Sequence, residues 1–141
     1  MALNFQDIKN MAANKYSQEP VQPTSVPTIE SFIGELFMYR NLIHLAHLST
    51  QSYAVHMALS DLYTGLLDHI DTLAETAQTE TILNISIPSC NCGEANVSCA
   101  NMLLDCVRSK RHVFPYSFQQ NICDEIEALA SSTIYKLKFL K

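Results

Sequence analysis

Apolar side chains recur at spacings of three and four residues along most of the chain after residue 27, a period typical of amphipathic α-helices. We predict four of them, at about 28–48, 51–79, 95–110 and 115–139. Thr28 is suited to cap the first helix, and the polar run at residues 49–52 separates it from the second. Basic residues close the third and fourth helices, where they complement the helix dipole.

The segment between the second and third helices is long and irregular. Pro88 and Gly93 prevent a continuous helix, and we expect the β-branched run "ILNISI" to be a loop. The chain is therefore predicted to be all-α, a four-helix bundle with a long crossover after the second helix. Residues 1–27 contain three of the five prolines and are predicted to form an extended arm, with the bundle domain at 28–141.

Composition narrows the possible functions. With 141 residues, of which 48% are hydrophobic, the chain is long enough to bury a core as one domain. A net charge of -5 argues against strong DNA binding, which draws on clustered cations. No apolar run is long enough to cross a bilayer, and the first residues do not resemble a secretory signal, so an intracellular location is expected.

The five cysteines all lie at or after residue 90. In a reducing compartment they are expected to be free thiols or metal ligands. The sequence "SCNCGEANVSC" brings together Cys90, Cys92 and Cys99, a possible zinc site that lacks a local fourth ligand.

A polar stripe runs along the second helix and continues onto the first. Its members are His56, Ser60, Tyr63, Asp71 and Glu75 on the second helix, with His44 and His47 on the first. Imidazoles and carboxylates together are ligands for iron and other divalent metals, although a single histidine in such a position is more often a core residue bonded to the backbone. Because His56 and Asp71 are about 22 Å apart along one helix, a shared ion would need carboxylates from a second chain. A twofold dimer with antiparallel helices would form two such sites.

The stretch "IHLAHLSTQSYAVHMALSDLYTGLLDHIDTLAET" at 43–76 resembles the signature of Dps, the ferritin-like DNA-binding proteins from starved cells. His44, His56, Asp71 and Glu75 keep the family's intervals of 12, 15 and 4 residues. The resemblance implies that the two histidines of one subunit and the two acids of its twofold mate bind iron. It further implies a hollow shell that oxidises Fe(II) with peroxide and stores ferric mineral.

The chain also departs from the Dps pattern. Ser60 stands where the family commonly has an aspartate, and Asp61 is rotated by about 100° from that position. The last helix looks more similar to Dps-like proteins of tailed phages than to bacterial Dps. Two functions are therefore predicted. One is a cytoplasmic, homo-oligomeric ferroxidase and iron store, and the other is a catalytically silent ferritin-like protein that contacts other proteins in a phage virion or another assembly.

Overall fold

The computed structural model describes residues 25–90 and 96–140. Within these ranges the chain forms four α-helices and one short 3-10 turn. They are α1 (Ile29–Ser49), α2 (Tyr53–Ala77), α3 (Cys99–Lys110), the turn Arg111–Val113 and α4 (Ser117–Phe139). No strand occurs in the described ranges, and residues 82–90 have no helix either, so the all-α class is confirmed. The predicted arm lies outside the described residues except for its last three positions.

Side chains of the two predicted cap segments fix the ends of the first two helices. The Thr28 hydroxyl accepts a hydrogen bond from the backbone N–H of Ser31 at 3.1 Å, and the Ser31 hydroxyl accepts one from the backbone N–H of Thr28 at 2.9 Å. This reciprocal pair satisfies two N–H groups that the helix itself leaves without a partner. Ser52 caps α2 by accepting from the backbone N–H of Val55 at 3.4 Å. The predicted break between the helices is confirmed.

The third helix begins later than predicted. We expected it to start at about residue 95, whereas α3 starts at Cys99. The Asn96 side chain accepts a hydrogen bond from the backbone N–H of Ser98 at 2.8 Å, which gives the chain a local turn in place of a first helical turn. Apolar periodicity cannot detect this competition, because Val97 continues the apolar pattern although it lies outside the helix.

One core joins the four helices. Helix α1 packs on α2 and α3, and α4 packs on α2 and α3. On α2 the buried stripe has the predicted spacing of three and four residues and consists of Leu59, Leu62, Leu66, Ile70 and Leu73. The largest fully buried side chains of the other elements are Phe32, Ile33, Leu36, Ile43, Leu103, Phe114 and Ile126. Burial of this apolar surface is the main favourable term in folding.

The basic cluster at the end of α3 is neutralised by acids of neighbouring helices. Arg111 forms ion pairs with Asp124 at 2.6 Å and with Glu127 at 2.8 Å, and Arg108 also contacts Glu127. Lys110 pairs with Glu35 on α1. These cations therefore fasten α3 to α4 and α1, as expected for a helix end.

The connection after α2 runs across the outer side of α1 at Gly34. A Cβ atom at this position would collide with the backbone carbonyl oxygen of Ser86 and approach Pro88. Nearby, the Glu30 carboxylate accepts a hydrogen bond from the backbone N–H of Asn84 at 3.4 Å. Gly34 is thus required for close approach of two backbone segments.

Replacing Gly34 with alanine is predicted to destabilise the protein by about 2 kcal/mol or more, because the backbone at Ser86 has to move. Gly65→Ala is the matched control, since its Cβ would meet only the flexible Leu129 side chain, at 3.0 Å, and alanine favours the helix. We expect its stability to stay within about 1 kcal/mol of wild type. Urea unfolding followed by circular dichroism measures both, and equal losses would contradict the assignment.

Candidate functional site

Four aromatic and imidazole rings stack between α1 and α2 near the turn that joins them. We call this set, His44, His47, His56 and Tyr63, the histidine–tyrosine cluster. The ring centroids of His44 and Tyr63 are 4.1 Å apart, and those of His47 and His56 are 3.7 Å apart. Tyr63 also meets His47 edge-on at 5.1 Å. At the histidine end of the polar stripe predicted from the sequence, the rings are thus in continuous contact.

Two hydrogen bonds, each between a ring nitrogen and a backbone carbonyl, also join His47 and His56. His47 Nδ1 lies 2.8 Å from the carbonyl oxygen of His56, and His56 Nδ1 lies 3.1 Å from that of His47. A carbonyl oxygen only accepts, so both Nδ1 atoms carry the proton and donate. When the rings are neutral, each Nε2 keeps its lone pair. Metal-binding histidines commonly use this arrangement, and structural core histidines bond to the backbone in the same way.

The two acids lie at the other end of α2. Asp71 and Glu75 are both exposed. Their side chains make no hydrogen bond or ion pair with any residue in 25–90 or 96–140. Fifteen residues of helix separate Asp71 from His56, about 22 Å at 1.5 Å per residue. Among the described residues of one chain, no three His, Cys, Asp or Glu side chains come close enough to hold a metal ion.

Arg40 extends the cluster along α1, away from the turn. Its guanidinium carbon lies 5.4 Å from the centre of the Tyr63 ring, within range of a cation–π interaction. One terminal nitrogen donates to the Asn41 side chain at 3.3 Å, whereas Nε is buried and has no acceptor. No described carboxylate pairs with this cation. Arg40 is therefore a charged group whose hydrogen-bonding capacity is only partly used.

Asp61 faces away from the histidine–tyrosine cluster. Its carboxylate pairs with Lys136 of α4 at 3.2 Å, across the α2–α4 contact. The rotation inferred from the sequence is thus observed, and Ser60 contributes no carboxylate to the stripe. A metal site formed on this face would lack the acid one turn after the second histidine.

The cysteine loop is described only in part. Cys90 is disulfide-bonded, Cys92 lies outside the described residues, and Cys99 is a free, buried thiol at the start of α3. The disulfide at Cys90 differs from the expectation of free thiols, and a sulfur in a disulfide does not act as a thiolate ligand. Zinc at Cys90, Cys92 and Cys99 stays a prediction.

A thiol–carboxylate contact that the sequence does not indicate joins α1 to α3. Cys106 Sγ donates a hydrogen bond to the Glu35 carboxylate at 3.1 Å, and the same oxygen accepts from Lys110. Burial and the hydrogen bond to Glu35 raise the pKa of Cys106 to about 12. Burial likewise raises the pKa of Cys123 to about 11. Glu35 and Cys106 are 71 residues apart, so only the tertiary fold reveals the pair.

Comparison with protein families gives one match. The model of the family of unknown function DUF5856 matches residues 47–137. This match covers more than half of the chain. The chain belongs to the DUF5856 family. No curated protein and no solved structure matches it significantly.

The DUF5856 match begins within the histidine–tyrosine cluster. It includes His47, His56, Asp71 and Glu75, and it excludes Arg40 and His44 on the earlier part of α1. The matched region thus spans both ends of the polar stripe on α2. In the described part of this DUF5856 chain, none of the helices combines the length and the apolar character needed to span a membrane.

The raised pKa values predict slow thiol chemistry in the folded DUF5856 chain. Since the thiolate is the reactive form, Cys106 and Cys123 should resist iodoacetamide at pH 8 and react only after unfolding. Burial favours the protonated thiols in the folded state. These groups therefore stabilise the fold below about pH 9, and their contribution is lost as the pH rises toward the raised pKa values of about 11 for Cys123 and about 12 for Cys106. Mass spectrometry of alkylated peptides tests this, and rapid native labelling of either thiol would refute it.

Proposed function

We propose that this chain is a ferritin-like four-helix bundle that assembles as a homo-oligomer and binds Fe(II) between twofold-related subunits. In this proposal His44 and His56 of one subunit and Asp71 and Glu75 of a second copy are the ligands. Bound Fe(II) is the substrate, peroxide is the oxidant, and the ferric product is stored. The cytoplasm is the corresponding location.

One observation carries the proposal: His56 and the two acids lie at opposite ends of α2, and His44 lies on α1 beside the His56 end. An isolated surface carboxylate needs no partner. Here, however, two carboxylates lie on adjacent turns of a stripe whose other end is a histidine cluster. Such a stripe is self-complementary under a twofold rotation. Antiparallel packing of two copies of α2 then brings each acidic end to the other copy's histidine end. The result is two equivalent ligand sets per dimer.

The histidine geometry is compatible with this role. His56 donates its Nδ1 proton to a backbone carbonyl, which fixes the ring and leaves Nε2 for a metal. His44 has no hydrogen bond to the described chain and is positioned by stacking on Tyr63. Imidazole and carboxylate ligands suit Fe(II) and leave open positions for an oxidant.

Apolar surface near the same end of the hairpin supports a protein contact there. Leu45 and Leu48 on α1 are 55% and 65% exposed, and Tyr53 and Met57 on α2 are 78% and 43% exposed. Grouped apolar side chains of this kind mark interaction surfaces. A second copy packed on α1 and α2 would cover part of this surface.

The chemistry needs no further reductant. Two Fe(II) ions each transfer one electron to peroxide, the O–O bond breaks, and uptake of two protons releases two water molecules. Asp71 and Glu75 would neutralise the charge that grows as iron becomes ferric. Binding requires neutral Nε2 atoms with a free lone pair.

A second candidate function is a catalytically silent structural protein of a phage virion or other assembly. The Asp61–Lys136 ion pair favours it. Asp61 faces Lys136 and does not lie on the stripe, so the stripe lacks the acid that the Dps pattern would place near the second histidine. In this case the apolar surface of the α1–α2 hairpin would contact other proteins and the histidines would serve only in packing.

Anaerobic Fe(II) titration followed by peroxide, with ferric absorbance as the readout, separates the two functions. We expect Asp71→Ala with Glu75→Ala to lower peroxide-dependent oxidation about tenfold or more, because both acidic ligands are lost. Glu125→Ala is the matched control, because Glu125 is an exposed acid on α4, outside the polar stripe, and this variant should behave as wild type. Background-level oxidation by the wild-type protein would refute the ferroxidase and favour the structural protein.

A further inference from the structure

We propose that Arg40 is a positioning residue that pairs with Asp71 of a second copy and fastens the twofold interface before any metal binds. This inference rests on the twofold packing of the proposed function and assigns the interface a contact that contains no metal. Its direct basis is two charges of the α1–α2 hairpin, Arg40 and Asp71, that form no ion pair with the described residues.

The guanidinium of Arg40 is held in place but has no counter-ion in the described part of the chain. Stacking over Tyr63 limits its motion, and its buried Nε has no acceptor among the described residues. A buried donor without a partner destabilises the fold, and arginine favours paired contacts with a carboxylate. An external carboxylate would satisfy both the charge and the donor.

Asp71 is the complementary group. It is exposed and makes no side-chain contact with a cation of the described chain. Glu75, the other unpaired acid, lies one turn nearer the end of α2. The two acids are therefore at different distances from the centre of the helix, and this order decides which group each one meets.

Antiparallel packing about a twofold axis preserves that order. The acid nearer the middle of α2 faces the group nearer the middle of the hairpin, and the acid nearer the helix end faces the groups nearer the turn. Arg40 lies one turn farther from the α1–α2 turn than His44, about 6 Å along the helix. Asp71 of the second copy therefore approaches Arg40, while Glu75 approaches the histidine–tyrosine cluster.

This pairing makes Arg40 a competitor of the metal for Asp71. In the metal-free dimer the carboxylate neutralises Arg40, and a bound cation draws it toward His44 and His56. Arg40 thus holds the acid near its binding position and lowers the repulsion between the two carboxylates while the site is empty. The proposed partner is a second copy of this chain, whose Asp71 supplies the carboxylate.

Charge exchange tests the contact directly. In EDTA, sedimentation velocity should show that Arg40→Asp or Asp71→Arg alone weakens the dimer about tenfold or more, because like charges then face each other. The double variant Arg40→Asp with Asp71→Arg should regain dimerisation to within about threefold of wild type, because the pair is restored in reverse. The control, Arg40→Asp with Glu125→Arg on α4, should stay as weak as Arg40→Asp.

A double variant no tighter than Arg40→Asp alone, or a wild type that is monomeric in EDTA, would overturn the inference. Circular dichroism melting of each variant separates lost pairing from lost folding. The restored dimer should still fail to oxidise Fe(II), because Asp71 is absent. If charge exchange restores dimerisation but the wild type does not oxidise Fe(II), only the ferroxidase proposal is refuted. If the wild type oxidises Fe(II) but charge exchange does not restore dimerisation, only the Arg40 contact is refuted.

Discussion

The fixed rise of an α-helix governs how the polar residues of this chain can act together. At 1.5 Å per residue, α2 holds His56 and Asp71 about 22 Å apart, and no rotamer change closes that distance. The imidazole end and the acidic end of the stripe are therefore separate features of one chain. In the proposed function they become a single site when a second copy reverses the helix direction, so the proposed iron chemistry depends on assembly.

Packing and polar contacts act on different sides of the same helix. The buried leucine and isoleucine side chains from Leu59 to Leu73 fix α2 against the core. The opposite face of the helix therefore has little freedom to rotate. On the α1 side, stacking and backbone hydrogen bonds order His47, His56 and Tyr63. On the α4 side, Asp61 is held by Lys136. The histidine end is thus ordered within one chain, while Asp71 and Glu75 at the acidic end have no ion-pair partner among residues 25–90 and 96–140.

Much of the fold follows from local rules, whereas most site contacts do not. Apolar spacing and the cap residues Thr28 and Ser52 were sufficient to predict the helices, since these signals lie within a few positions of each helix end. The start of α3 was missed because a side-chain turn at Asn96 competes with the helix. The stacking of Tyr63 and the bond between Cys106 and Glu35 depend on how distant segments pack, which periodicity does not encode.

Mixing two complementary variants measures whether the site spans two chains. One variant carries His44→Ala and His56→Ala, the other carries Asp71→Asn and Glu75→Gln, and neither alone should oxidise Fe(II) above background. After equal amounts are unfolded and refolded together, random pairing gives one intact site in half of the dimers, so about a quarter of wild-type activity should return. No recovery in mixtures whose heterodimers are verified by native mass spectrometry would contradict a site shared between subunits.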